Sequence, residues 1–140
     1  MDMVFRVNAS SACGYRISPG DSNYFVLLFD KERGGIDTIM VVEIFAFGGR
    51  TPPNIHRRAH EFFYVLSGEA AAVCGGKRIR LGKGDAFLVP PGTEHVVENI
   101  GSGKLYTLTV MCPNEGFAEL IRAGQPVALD DEDRLTLGGS

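Results

Sequence analysis

At 140 residues, with 44% hydrophobic side chains, 18 Gly and 7 Pro, the chain is neither disordered nor fibrous. It is long enough to bury roughly two thirds of its unfolded surface around one core. Seventeen acidic against 14 basic residues leave a net charge of -3, which excludes the basic surplus that nucleic-acid or anionic-membrane partners need.

The first residues place Asp2 where a signal peptide carries positive charge. Cys13, Cys74 and Cys112 make no CxxC pair and no disulfide framework, so a reducing, cytoplasmic setting is expected. Cys74 and Cys112 read as buried structural thiols, since no neighbouring cation lowers their pKa. Val4 to Val7 and Tyr15 to Ile17 read as short strands on either side of a Ser-Ser-Ala-Cys-Gly turn, as an edge or an oligomer arm. Tyr24 to Phe29 is dense in β-formers, and the charged loop Asp30 to Gly35 leads into a long strand, Thr38 to Phe47. The apolar run inside that strand contains Glu43 and is far below the ~18 to 20 residues of a membrane-spanning helix.

Gly48-Gly49-Arg50-Thr51-Pro52-Pro53 forces a bend, because prolines cannot donate to a central ladder. Glu61 to Leu66 alternates Glu61, Phe63 and Val65 with Phe62, Tyr64 and Leu66; both sets are largely apolar, which predicts a buried strand. Ala70 to Cys74 and Lys77 to Leu81 form a hairpin about Gly75-Gly76. Ala86 to Val89, His95 to Asn99 and Leu105 to Met111 complete a series of short, evenly spaced strands. The period then changes: Phe117, Leu120 and Ile121 recur at helical spacing, with Gly124 as a stop. Gln125 to Ser140, with its acidic run Asp130 to Asp133, reads as a mobile, solvated tail. The expectation is an all-β single domain over residues 1–140, with its barrel core at about 36–112.

Chemistry concentrates at two punctuated strand ends. Asn54 and His56 sit two apart and share a face on an extended chain, Glu61 shares the face of Phe63 and Val65, and His95 follows the turn Pro90-Pro91-Gly92. His60, adjacent to Glu61, points the other way. Two imidazoles and a carboxylate from neighbouring strands form a facial set suited to Fe(II), Mn, Ni or Zn, with positions open for substrate. The plain alternatives are hydrogen-bonded barrel histidines and an exposed strand-start acid. Arg57 and Arg58 read as a solvated bend or as a rim attracting an anion. Phe45, Phe47, Phe63, Phe87 and Val97 are cavity-wall candidates or ordinary core.

These residues resemble the two motifs of the cupins. Gly48 or Gly49, Asn54-Ile55-His56, Glu61 and Gly68 match the first; Gly84, Pro90, Gly92, His95 and Asn99 match the second in full. The chain is most similar to small single-domain cupins related to quercetin dioxygenases. The resemblance implies a double-stranded β-helix, or jelly roll, with a short C-terminal helix. It implies a divalent transition metal held at Asn54, His56, Glu61 and His95, with asparagine where the family usually has histidine. The implied function is a metal-dependent dioxygenase, an oxidoreductase acting on a small enolic or phenolic compound. Glu61 would take the substrate's proton, its basicity raised by burial in an apolar cavity. The alternatives are a cupin isomerase or lyase, a non-catalytic small-ligand-binding cupin whose metal site has degenerated, or an assembly role. A homodimer formed through the N-terminal strands is expected.

Overall fold

The computed structural model describes residues 4–139, in ten strands and two short α-helices. Seven strands form one antiparallel sheet in the order β10-β1-β2-β3-β9-β4-β7. They are β1 (Gly14–Arg16), β2 (Asn23–Phe29), β3 (Ile39–Phe45), β4 (His60–Ser67), β7 (Ala86–Val89), β9 (Leu105–Cys112) and β10 (Gln125–Val127). A second sheet, β6-β5-β8, joins β5 (Ala70–Cys74), β6 (Lys77–Leu81) and β8 (His95–Asn99). The two sheets close face to face as a jelly-roll barrel. One core cluster spans them: Phe45, Phe63 and Val65 of the large sheet pack with Ala70, Ala72 and Val97 of the small one.

Why the chain folds this way is plainest in β4. Glu61, Phe63 and Val65 are 5%, 2% and 0% exposed, so the predicted alternation holds. Phe62 and Tyr64, at 46% and 44%, face solvent, so β4 is buried on one side only, against the expectation of two. Gly75 and Gly76 adopt φ of +55° and +82° at the β5–β6 hairpin, a conformation that side chains rarely accept. Asn99 ties β8 to the end of β3 by donating from Nδ2 to the carbonyls of Phe45, Ala46 and Gly103 at 2.8–3.3 Å.

The helix α1 (Phe117–Arg122) lies over one end of the barrel with Ala118 and Ile121 buried against Phe25, Leu27, Val41 and Met111. Asn114 Oδ1 accepts from the Ala118 N–H at 2.8 Å. Asp30 receives the Arg122 guanidinium at 2.7 and 3.0 Å, which pins the far end of the helix. Gly124 ends it where a Cβ would stand 2.2 Å from the Arg16 carbonyl oxygen, so only glycine fits.

Three further expectations fail. Val4 to Val7 forms no strand: Val4 is 92% exposed, and a single 3-10 turn, Ala9–Ser11, follows. The C-terminal segment is not a solvated tail. Its β10 pairs with β1, and α2 (Asp131–Thr136) is closed by a capping box between Asp130 and Asp133. Leu129 and Leu137 cover the outer face of β2, β3 and β9, made of Tyr24, Val26, Val42, Ile44 and Tyr106. Beneath them Asp133, 1% exposed, accepts from Tyr24 Oη, Tyr106 Oη and Lys104 Nζ at 2.6–3.0 Å. Finally, Cys112 is exposed and Cys74 only half-buried, so neither is a fully buried structural thiol.

Candidate metal centre and its cavity

The bend after Pro53 brings Asn54 beside the start of β8, where Asn54 and His95 exchange two backbone hydrogen bonds, N–H to O at 3.1 and 2.9 Å. The odd gap between His56 and Glu61 is a change of sheet: the chain leaves its bridge to β8 of the small sheet after Asn54 and enters the large sheet at His60, opposite Cys112 of β9. The turn itself is held by Glu115, whose carboxylate accepts the N–H groups of Arg58 and Ala59 at 3.1 and 2.9 Å.

His56, Glu61 and His95 then converge. Oε1 of Glu61 lies 2.9 Å from Nε2 of His56 and 2.9 Å from Nε2 of His95. One donor atom from each of the three residues lies within 4.8 Å of the others. His95 Nδ1 faces the Thr93 carbonyl oxygen at 3.0 Å, an atom that only accepts, so Nδ1 carries a hydrogen. Its Nε2 therefore meets a carboxylate oxygen with a lone pair, and the contact needs either a proton or a cation between the two atoms. Such a donor set, with one imidazole oriented by a backbone carbonyl, fits a divalent metal.

The electrostatics agree with that geometry. Burial, the strongest single influence on Glu61, pushes its carboxyl upward, but hydrogen bonds from His56 and His95 together outweigh it and hold the group below the usual glutamate value. Burial likewise opposes the charged form of His95, yet Glu61 and the Thr93 carbonyl turn its net shift upward. The expected rise in Glu61 basicity from desolvation is thus reversed by its two imidazole neighbours.

Residues 41–111 match the family model of the cupin domain. The chain belongs to the cupin family. It is 29% identical over 79 residues to an uncharacterized protein of Methanocaldococcus jannaschii, a match covering 56% of this cupin and 63% of that relative, so it spans less than two thirds of the curated relative's length. Among solved structures it is similar to a predicted oxalate decarboxylase from Thermotoga maritima, with 25% identity, a TM-score of 0.68, and coverage of 78% of this chain and 97% of that one. It is also similar to an oxalate oxidase, with 26% identity, a TM-score of 0.64, and coverage of 79% and 59%.

In this cupin Glu61 and His95 line a cavity of about 360 Å³. Its apolar wall is Phe63 from β4, Phe25 from β2, Ile17, and Phe117 and Leu120 from the helix above. Arg50 stands at its rim, paired with Glu98 at 3.8 Å. His56 faces a second opening on the other side of Phe117 and Leu120, lined also by Arg57. Asn54 lines both openings, is exposed, and its side chain has no hydrogen bond among the described residues. His60 points outward opposite Cys112, as its position beside Glu61 predicts.

Of the five wall candidates, only Phe63 lines this cavity. Phe45 and Val97 are core, Phe87 stacks on Phe63 at 4.7 Å between ring centres, and Phe47 is 75% exposed. Sequence reasoning missed the second carboxylate. Glu43, on the inner face of β3, is 4% exposed and lines the cavity with Asn23. Its one visible signal was an acid alone inside the apolar run of Ile39 to Phe47.

Proposed function

We propose that this cupin is a metal-dependent enzyme acting on a small enolic or phenolic compound, with oxygenation of the dioxygenase type as its reaction. The observation that carries this reading is the convergence of two imidazole nitrogens on one oxygen of Glu61, at the wall of a largely apolar cavity. His56, Glu61 and His95 would hold a divalent Fe, Mn, Ni or Zn ion, with Asn54 as a neutral fourth donor or an orienting amide. A metal bound there would act as a Lewis acid toward a substrate oxygen. Glu61, kept ionised by its neighbours, would accept the proton of the arriving hydroxyl. Phe25, Phe63 and Phe117 would pack the ring or enol plane and exclude water. The similarity to a predicted oxalate decarboxylase and an oxalate oxidase supports metal-type chemistry on a small oxygenated substrate.

The exposed position and neutral amide of Asn54 favour one other reading, a ligand-binding cupin without catalysis. The test is elemental analysis of protein purified without chelator and reloaded with Fe(II), Mn, Ni or Zn, followed by oxygen uptake over flavonols, diketones and small phenols. The enzyme reading expects near-stoichiometric metal, lost in His95→Ala and Glu61→Gln and tightened in Asn54→His. No metal after loading, with an organic ligand bound instead, would support the binding module.

The free thiols fit a cytoplasmic location, and no helix among the described residues is long and apolar enough to cross a membrane. The proposed assembly is a homodimer. Phe62, Tyr64 and Leu88, 44–49% exposed, form an apolar outer face on β4 and on β7, the terminal strand of the large sheet. That face suits a second copy better than the N-terminal segment, which forms no strand at Val4 to Val7.

A further inference from the structure

Glu43 sits in the middle of β3, opposite Thr107 of β9, with no cation among its hydrogen-bond partners. The side chain bonded to it is Asn23, whose Nδ2 donates to Oε2 at 2.9 Å. Asn23 is itself fixed. Its Oδ1 lies 3.2 Å from Ser22 Oγ, and Gly49 packs so closely that a Cβ there would be 2.8 Å from that oxygen. Glu43 Oε1 has no protein partner among the described residues, yet no fully buried side-chain oxygen among them lacks one, so Oε1 opens onto the cavity that Glu43 lines. A nine-tenths-buried carboxyl thus aims one free oxygen into the same space as Glu61 and His95.

We propose that Glu43 and Asn23 form a second binding subsite, in which the Glu43 carboxylic acid donates a hydrogen bond from Oε1 to a carbonyl oxygen of the ligand. The preferred ligand is then a hydroxy-carbonyl compound. Its enolic or phenolic hydroxyl lies at Glu61 and His95, on this cavity's side of the three-residue cluster, its carbonyl at Glu43, and a flat apolar spacer lies against Phe25 and Phe63. This rests on the reading of the three-residue cluster as the hydroxyl site.

The hydrogen-bond chemistry is one-directional. An amide N–H can only donate, so Asn23 holds Oε2 as the acceptor end of the acid and leaves the acidic hydrogen on Oε1. Burial, reinforced by the Glu61 charge, pushes the Glu43 carboxyl up to about 8, which keeps it protonated at neutral pH. A neutral donor can face a carbonyl beside an ionised Glu61 without charge repulsion. Two carboxylates of opposite protonation in one cavity divide the work, one accepting and one donating.

The probes are para-hydroxyacetophenone and para-ethylphenol, which share shape and hydroxyl and differ in the carbonyl. Calorimetric titration of both, into metal-free and Zn(II)-loaded protein, should show the ketone bound roughly tenfold more tightly by the wild type. Glu43→Gln should keep that preference, because its amide N–H replaces the acid O–H. Glu43→Met should erase it while leaving para-ethylphenol unchanged. Infrared difference spectra should show an acid C=O band, absent from Glu43→Gln, that shifts with the ketone and not with the alkylphenol. Equal affinities, no binding of either probe, an unmoved acid band, or loss of the preference in Glu43→Gln would each overturn the proposal. If the ketone preference stands but neither affinity responds to Zn(II), the metal reading fails and the Glu43 subsite survives.

Discussion

Glu61 and Glu43 are two glutamates of one cavity whose environments drive them apart. Glu61 gains two imidazole partners that outweigh the cost of its burial; Glu43 is raised first by its own burial and then by the repulsion of Glu61, against which it has one amide. The consequence for Glu43 reaches stability. Its folded-state pKa of about 8 lies above the ordinary 4.5, so between those values the folded protein binds more protons than the unfolded chain. This contribution to stability is therefore full below about 4.5 and is lost as pH rises through about 8. Denaturant melts at intervals across that window should show stability falling by a few kcal/mol at most toward the alkaline end. Glu43→Gln should flatten this slope, and an unchanged slope in the variant would assign it to another group. Neither carboxylate could be given its protonation state from sequence. The partners of Glu61 are 5 and 34 residues away, and Asn23 is 20 residues from Glu43.

The elements were legible where their own side chains decide them. Alternation in β4 identified Glu61, Phe63 and Val65 as inward, and the glycine pair marked the β5–β6 turn. The C-terminal segment misled because Asp130, Asp131, Glu132 and Asp133 look like a run that must be hydrated. In the fold, Asp133 is instead buried under α2, where Tyr24, Tyr106 and Lys104 share it. Removing that carboxylate takes the acceptor from the Tyr24 and Tyr106 hydroxyls, leaves Lys104 with only Asp130 and Tyr24 Oη, and opens the capping box as well. Asp133→Ala should therefore destabilise the protein by about 3 kcal/mol, read as a lowered urea midpoint. Asp130→Ala, which removes the cap and an exposed contact to Lys104, should cost only about 1 kcal/mol. Near-equal effects of the two substitutions would argue that α2 is held by its apolar face alone. Val4 to Val7 shows the opposite error: a short run of β-forming residues there pairs with no neighbouring strand.

For the molecule as a whole, the apolar outer face of β4 and β7 makes the assembly testable. Sedimentation velocity should give a dimer, and Leu88→Lys, which places a charge in the exposed patch, should shift it to a monomer without lowering the melting temperature of the fold. A wild-type monomer, or a dimer indifferent to Leu88, would remove this face from the interface. From the sequence alone came the barrel class, the two metal-type motifs and the inward direction of Glu61, because strand periodicity, turn residues and motif spacing are local properties of the chain. The tertiary structure decided the meeting of His56 and His95 on one oxygen, the entry of Glu43 and Asn23 into the cavity, the roof of Phe117 and Leu120, and the burial of Asp133. Each of these depends on residues distant in the chain becoming neighbours, and burial and hydrogen bonding between such residues set their charge and their exposure.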